Sequence, residues 1–281
     1  MTLEGIPSVK GRYPFRVGTT SYIIPADIRP NVEALAPLVD DVELLLFEIP
    51  EMSNVPSPAS VQQLRKLAEA NTLTFTVHLP LDLPLCRSDS NGRLQAVDAC
   101  RRMIEATAAL APFAYLLHVD AHDPNSREPI PATDIPAWTD NVSRSVSDLL
   151  QTGVPARHLC VETLAYRFEY VAPVVETFDL GVCLDIGHLL LYGFDLQAHL
   201  DTYLARTRVV HAHGIHGGKD HRGLDQLDPA ALDAVVDALS RSRDSERVFT
   251  MEVFSQENFE ASIGVMHERL ARGSEQDLYD L

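Results

Sequence analysis

No stretch of this chain is apolar for long enough to span a bilayer, and the opening residues MTLEGIPSVKGRYPF hold no apolar run of signal-peptide length. The expectation is a cytoplasmic protein with no membrane partner. Cysteine is scarce. Cys86, Cys100, Cys160 and Cys183 are far apart and form no C-x-x-C pair, so a cysteine-based zinc site has no support. Cys160 and Cys183 fall in apolar runs and read as small buried hydrophobes. Basic residues are short as well: 23 Lys and Arg face 40 Asp and Glu, a formal charge of −17. An acidic surface repels duplex phosphates, so duplex nucleic acid is not an expected partner. The chain has no G-x-G-x-x-G turn, no P-loop, no G-x-S-x-G and no internal repeat. No boundary divides the 281 residues; 46% hydrophobic and 22% charged, they predict one globular domain over 1–281.

What is present is alternation. Eight β-like runs recur: 15–20, 42–48, 73–79, 115–120, 158–163, 181–186, 208–213 and 248–254. Helical patterns fall between them, with Ser57 or Ser60 as an N-cap ahead of ASVQQLRKLAEA. In DPAALDAVVDALSR the residues Leu232, Val235, Val236 and Leu239 share one face, as in a helix lying on a sheet. Eight βα units in about 250 residues predict an α/β fold, a single (β/α)8 TIM barrel, rather than an open doubly wound sheet. The Pro-rich stretch 122–136 after the fourth strand reads as a lid or a surface loop.

In such a barrel the chemistry sits at the C-terminal ends of the strands. There the runs carry Glu48, His78, His118, Glu162, Asp185 with His188 three residues on, His211 with His213, and Glu252. Any one of them could be a satisfied core group or face outward. Together they are harder to dismiss, because buried charge needs a partner or a metal. The segment VVHAHGIHGGKDH (209–221) adds His216 and His221, and imidazole is a common metal ligand. The donor set is nitrogen and oxygen without sulfur. It suits zinc or manganese, and its histidine share favours zinc or iron. More than four ligands implies more than one ion, an arrangement used for phosphoryl chemistry.

These residues resemble the xylose isomerase-like TIM barrels, a superfamily that includes the endonuclease IV branch. The resemblance is carried by His78, His118, Glu162, LDIGH with Asp185 and His188, HAHG, the pair Asp220-His221, and MEVF with Glu252. Sugar isomerases and epimerases of the group resemble the subset Glu162, Asp185, His213 and Glu252, which holds one metal. The endonuclease IV branch adds histidines on strands three and four and in the loop after strand seven. The resemblance therefore implies the ligand set His78, His118, Glu162, Asp185, His188, His213, His221 and Glu252 around two or three zinc ions. His211 or His216 is the alternative to His213. The family's D-x-H spacing is here an adjacent Asp220 and His221. The start GTTSYIIPADIRPNVEALAPLVDDVELLLFE is similar to the cobamide-remodelling phosphodiesterases. That likeness implies hydrolysis of the phosphoribosyl linkage in the nucleotide loop of a cobamide, a small corrinoid substrate. The nucleophile is a metal-activated water, with Glu252 or Glu162 as catalytic residues. Lys219, Arg222 and Arg87 are candidates for holding substrate oxygens. The alternative is a sugar isomerase or epimerase with one divalent metal.

Overall fold

The computed structural model describes residues 3–49, 52–81, 85–120, 131–241 and 246–279. Eight parallel strands close into a barrel. They are β1 (Arg16–Thr20), β2 (Asp41–Leu45), β3 (Thr74–His78), β4 (Tyr115–Leu117), β5 (Leu159–Glu162), β6 (Gly181–Asp185), β7 (Thr207–Ala212) and β8 (Val248–Met251). Each pairs with its neighbours in chain order, and β8 closes on β1 with Arg16 opposite Val248. This is the predicted (β/α)8 barrel.

The helices are α1 (Ile28–Leu35), α2 (Pro58–Asn71), α3 (Ser90–Thr107), α4 (Ile135–Leu150), α5 (Ala172–Thr177), α6 (Ile186–Leu191), α7 (Leu196–Tyr203), α8 (Pro229–Arg241) and α9 (Gln256–Tyr279). Their ends have local causes. Ser57, not Ser60, caps α2: its Oγ accepts the Ser60 N–H at 3.2 Å and Pro58 opens the helix. In α8 the stripe Leu232, Val235, Val236 and Leu239 is buried, as its spacing requires. No helix among the described residues is long and apolar enough to cross a membrane.

Two expectations are corrected. The second strand ends at Leu45, and a small antiparallel hairpin, Glu48–Ile49 with Met52–Ser53, follows it. Glu48 is therefore not at a strand end in the lumen; it is exposed and ion-paired to Arg102 of α3. β4 and β8 stop at Leu117 and Met251, short of the predicted 120 and 254, so His118 and Glu252 lie just past their ladders. A short helix, α6, follows β6 directly, because Asp185 caps it, accepting the His188 N–H at 2.8 Å. Of the Pro-rich stretch 122–136, residues 122–130 lie outside the described residues.

Strand alternation builds the interior. Leu116, Cys160, Cys183, Val209 and Val248 form a small apolar cluster inside the barrel, separate from the large core between strands and helices. One pleat further along, the same faces carry His118, Glu162, Asp185 and His211. The lumen is tight at Gly181, where a Cβ would meet Arg157 O at 2.5 Å and Cys160 Sγ at 2.6 Å.

Candidate metal centre

Above that apolar layer donor atoms lie within 4.8 Å of one another in five overlapping groups; Glu162 with Cys183 and His211, and Glu43 with His78 and Glu252, overlap the three described next. The first joins His78, His118 and Glu162. The Nε2 atoms of His78 and His118 stand 3.3 and 3.0 Å from Glu162 Oε2. The second joins Glu162, Asp185, His211 and Glu252; His211 Nδ1 is 3.4 Å from Glu162 Oε1 and 3.2 Å from Glu252 Oε2. The third joins His188, His213 and His221. Glu162 belongs to the first two groups. Asp185 touches the third: Oδ2 lies 2.8 Å from His188 Nδ1, and Oδ1 lies 3.2 Å from His213 Nε2. Asp220 flanks the third group as well, 3.0 Å from His221 Nδ1 and 3.7 Å from His188 Nε2.

These groups fit divalent cations on a physical test. His78 Nε2, Glu162 Oε1, Asp185 Oδ2, His188 Nδ1, His211 Nδ1, His213 Nε2 and Glu252 Oε2 are buried and make no hydrogen bond. A buried polar atom left unsatisfied costs about 1–3 kcal/mol. Metal ligation would compensate all seven at once. The far side of the rings agrees. His78 Nδ1 donates to Leu79 O at 2.7 Å, which frees Nε2. His211 Nε2 donates to the buried Glu43 Oε2 at 2.9 Å, which frees Nδ1. A carboxylate behind an imidazole is the usual device for orienting a ligand and raising its basicity.

Charge pairing shapes the titration. Burial pulls the His78 pKa down, but Glu162, Glu43 and Glu252 outweigh it and push it up to about 9. Burial likewise opposes His188, and Asp185 raises it to about 10. Asp185, penalised by burial, is held at about 2 by His213 and His188. Glu162 and Glu252 lie well below the usual carboxylate range, because the surrounding imidazoles outweigh their burial. Burial pushes the Cys183 thiol well up, so it packs beneath His211 as a neutral group.

All eight residues of the expected ligand set enter one of the groups, with one change of place. His213 does not join Glu162 and Glu252; it sits with His188 and His221, and His211 stands between the glutamates. His216 is exposed and outside every group. Gly187 explains the glycine of LDIGH: a Cβ there would lie 2.2–2.5 Å from the His213 ring. Of the expected substrate contacts, Lys219 is exposed on the hairpin formed by Gly214–His216 and Lys219–Arg222. Arg222 lines a separate cavity of about 550 Å³ with His216, Gln226, Ser255, Glu257 and Asn258. Arg87 is exposed and lies against Gly92 at the start of α3. Sequence reading missed Glu43. Its signal was a lone carboxylate at an inward position of a strand otherwise apolar from Val42 to Leu46.

A closed barrel whose C-terminal end gathers buried imidazoles and carboxylates is a scaffold with a candidate divalent-metal centre. The chain belongs to the family described as xylose isomerase-like TIM barrel, whose profile matches residues 39–270. A D-tagatose 3-epimerase-like protein superposes with a TM-score of 0.74 at 15% identity, covering 94% of this chain and all of its own. Endonuclease IV from Thermus thermophilus gives 0.70 at 22% identity, over 92% of this chain and 99% of its own. The IOLI protein, solved with a bound zinc atom, gives 0.66 at 12% identity, over 95% and 97%. At these identities the likeness establishes the fold. No curated protein matches the sequence.

Proposed function

We propose that the protein is a metal-dependent phosphodiesterase of a small molecule, with the phosphoribosyl linkage of a cobamide as its substrate. One observation carries this reading: His78 and His118 converge on Glu162 beside a second, complete four-residue group. A one-metal isomerase needs only the second group, Glu162, Asp185, His211 and Glu252. The first and third groups provide positions for further ions, and clustered ions serve phosphoryl transfer. Zinc suits the donor set; manganese and iron are the alternatives.

Ions bound by these groups would supply Lewis acidity for phosphate oxygens and for an attacking water. The chain's own residues do the rest. Glu162 and Glu252, ionised at neutral pH, accept and orient the proton of that water. Glu43 fixes the His211 ring, and the apolar layer below closes the lumen to bulk water. Lys219 and Arg222 flank Asp220 and His221 on the hairpin; with Arg222 lining the separate cavity, Lys219 is the better suited to substrate oxygens. The charge of −17 argues for a small phosphodiester over duplex DNA.

The test pairs metal analysis of the purified chain with hydrolysis assays. The expected result is two or three ions per chain, cleavage of a cobamide, loss of turnover in Glu252→Gln with the fold intact, and no salt-sensitive binding to abasic duplex DNA. A single ion with ketose or aldose interconversion would establish the isomerase reading instead, which the complete four-residue group supports.

A further inference from the structure

Six large hydrophobic side chains are exposed among the described residues: Tyr22, Met52, Leu81, Leu94, Tyr192 and Phe254, at 40–56%. All six lie at the end of the barrel that holds the metal centre. Tyr22 is in the loop after β1, Met52 in the hairpin after β2, and Leu81 in the loop after β3. Leu94 is near the start of α3, Tyr192 directly follows α6, and Phe254 is in the loop after β8. Scattered apolar exposure is ordinary, but its confinement to one face marks a binding surface. The spacing ties it to the site. Leu81 follows His78 by three residues, Tyr192 follows His188 by one helical turn, and Phe254 follows Glu252 by two. Two of the rings touch site imidazoles: the Phe254 centroid is 4.8 Å from His221, and Tyr192 is 5.9 Å from His188.

We infer that these side chains form a rim that grips a broad, flat, mainly apolar body carried by the same molecule as the scissile phosphate. The rim draws on segments that follow β2 and β6, strands on opposite sides of the barrel, so an occupant that touches both spans the mouth. Its rings stand against the metal-centre imidazoles, so the occupant enters the mouth rather than lying across a flat face. A second copy of the chain is disfavoured, because it would bring another −17 charge to a mouth floored with carboxylates. The inference rests on the phosphodiesterase reading for the attached phosphate, and a corrin ring is a body of the required kind. It assigns specificity to the rim and chemistry to the centre.

The experiment uses cobinamide, a corrin without phosphate or nucleotide, titrated into the full chain by equilibrium dialysis. Saturable binding is expected. Exchanging both Tyr22 and Met52 for Ser should weaken it roughly tenfold or more, as should Leu81→Ser, from the apolar area uncovered. None of the three is a metal-centre residue, and metal content and melting temperature should match the parent. Cobinamide has no phosphodiester, so its binding stands even if no phosphodiester is hydrolysed. Hydrolysis of a cobamide with cobinamide binding indifferent to these substitutions would overturn the rim alone. Absence of saturable binding, or substitutions that instead dissociate a dimer on size-exclusion chromatography, would overturn it too.

Discussion

Asp41 lies at the foot of the lumen, fully buried, and it offers a test of how that interior treats charge. Its Oδ2 meets Thr74 Oγ1 at 2.6 Å, and its Oδ1 meets Thr76 Oγ1 at 2.8 Å and Thr76 N at 3.2 Å. Burial dominates those hydrogen bonds and raises its pKa from 3.8 to about 6. The folded state thus holds this proton more tightly than the unfolded chain. Its stabilising contribution is complete below pH 3.8 and is lost as pH rises through about 6. The distance between those two values corresponds to about 3 kcal/mol at pH 8. Asp41→Asn removes the titration and keeps the contacts: the amide oxygen still accepts from Thr76, and the amide nitrogen donates to Thr74 Oγ1. The variant should exceed the parent by up to about 3 kcal/mol at pH 8, and by less than about 1 kcal/mol at pH 4. Urea unfolding of both proteins with a chelator present, at several pH values, measures the gap. A gap that does not change with pH, or a variant less stable at pH 8, would refute the reasoning.

Gly187→Ala should displace the His213 ring, costing about 1–3 kcal/mol and loosening metal at the third group; thermal melts and metal analysis read both effects. Glu43→Gln should weaken metal affinity about tenfold without unfolding the barrel, measured by competition with a chelating dye. Metal loading at pH 7 should release protons. His78 and His188, at about 9 and about 10, are protonated there and must give up a proton to ligate, so affinity should rise with pH. Calorimetry in buffers of different ionisation enthalpy counts the protons, and a count of zero would mean that neither ring ligates.

The barrel was legible because eight apolar runs of strand length alternate with helical stripes, a rhythm set by backbone geometry and burial. The gathering of His78, His118, Glu162, Asp185 and Glu252 was legible for the same reason, since each stands where a strand ends. Depth was not. His211 and His213 are one pleat repeat apart, so period two puts them on one face but does not say which reaches Glu162. That choice is set by stagger between neighbouring strands; Asp185 pairs in register with His211. Glu43 was hidden similarly: it is mid-strand, in register with Thr76 one pleat repeat before His78, and meets the site through the far nitrogen of His211. The hairpin 214–222 folds back so that the His221 N–H donates to His213 Nδ1 at 3.0 Å, with His221 at φ 52°. No local pattern announces that return. It also lets the adjacent Asp220 and His221 both face the third group.

The imidazole–carboxylate pairs at the barrel mouth bear on the order of events in the life of the chain. With His78 and His188 protonated and Glu162, Asp185 and Glu252 ionised, the layer supplies its own counterions before any metal arrives. These opposite charges offset part of one another's burial cost without an ion, so the barrel is expected to stay closed when unloaded, unlike small domains whose folding waits for the ion. Loading then trades protons for cations at positions already laid out. If the centre takes up metal, a chelator is expected to leave the chain folded, with its melting temperature little changed.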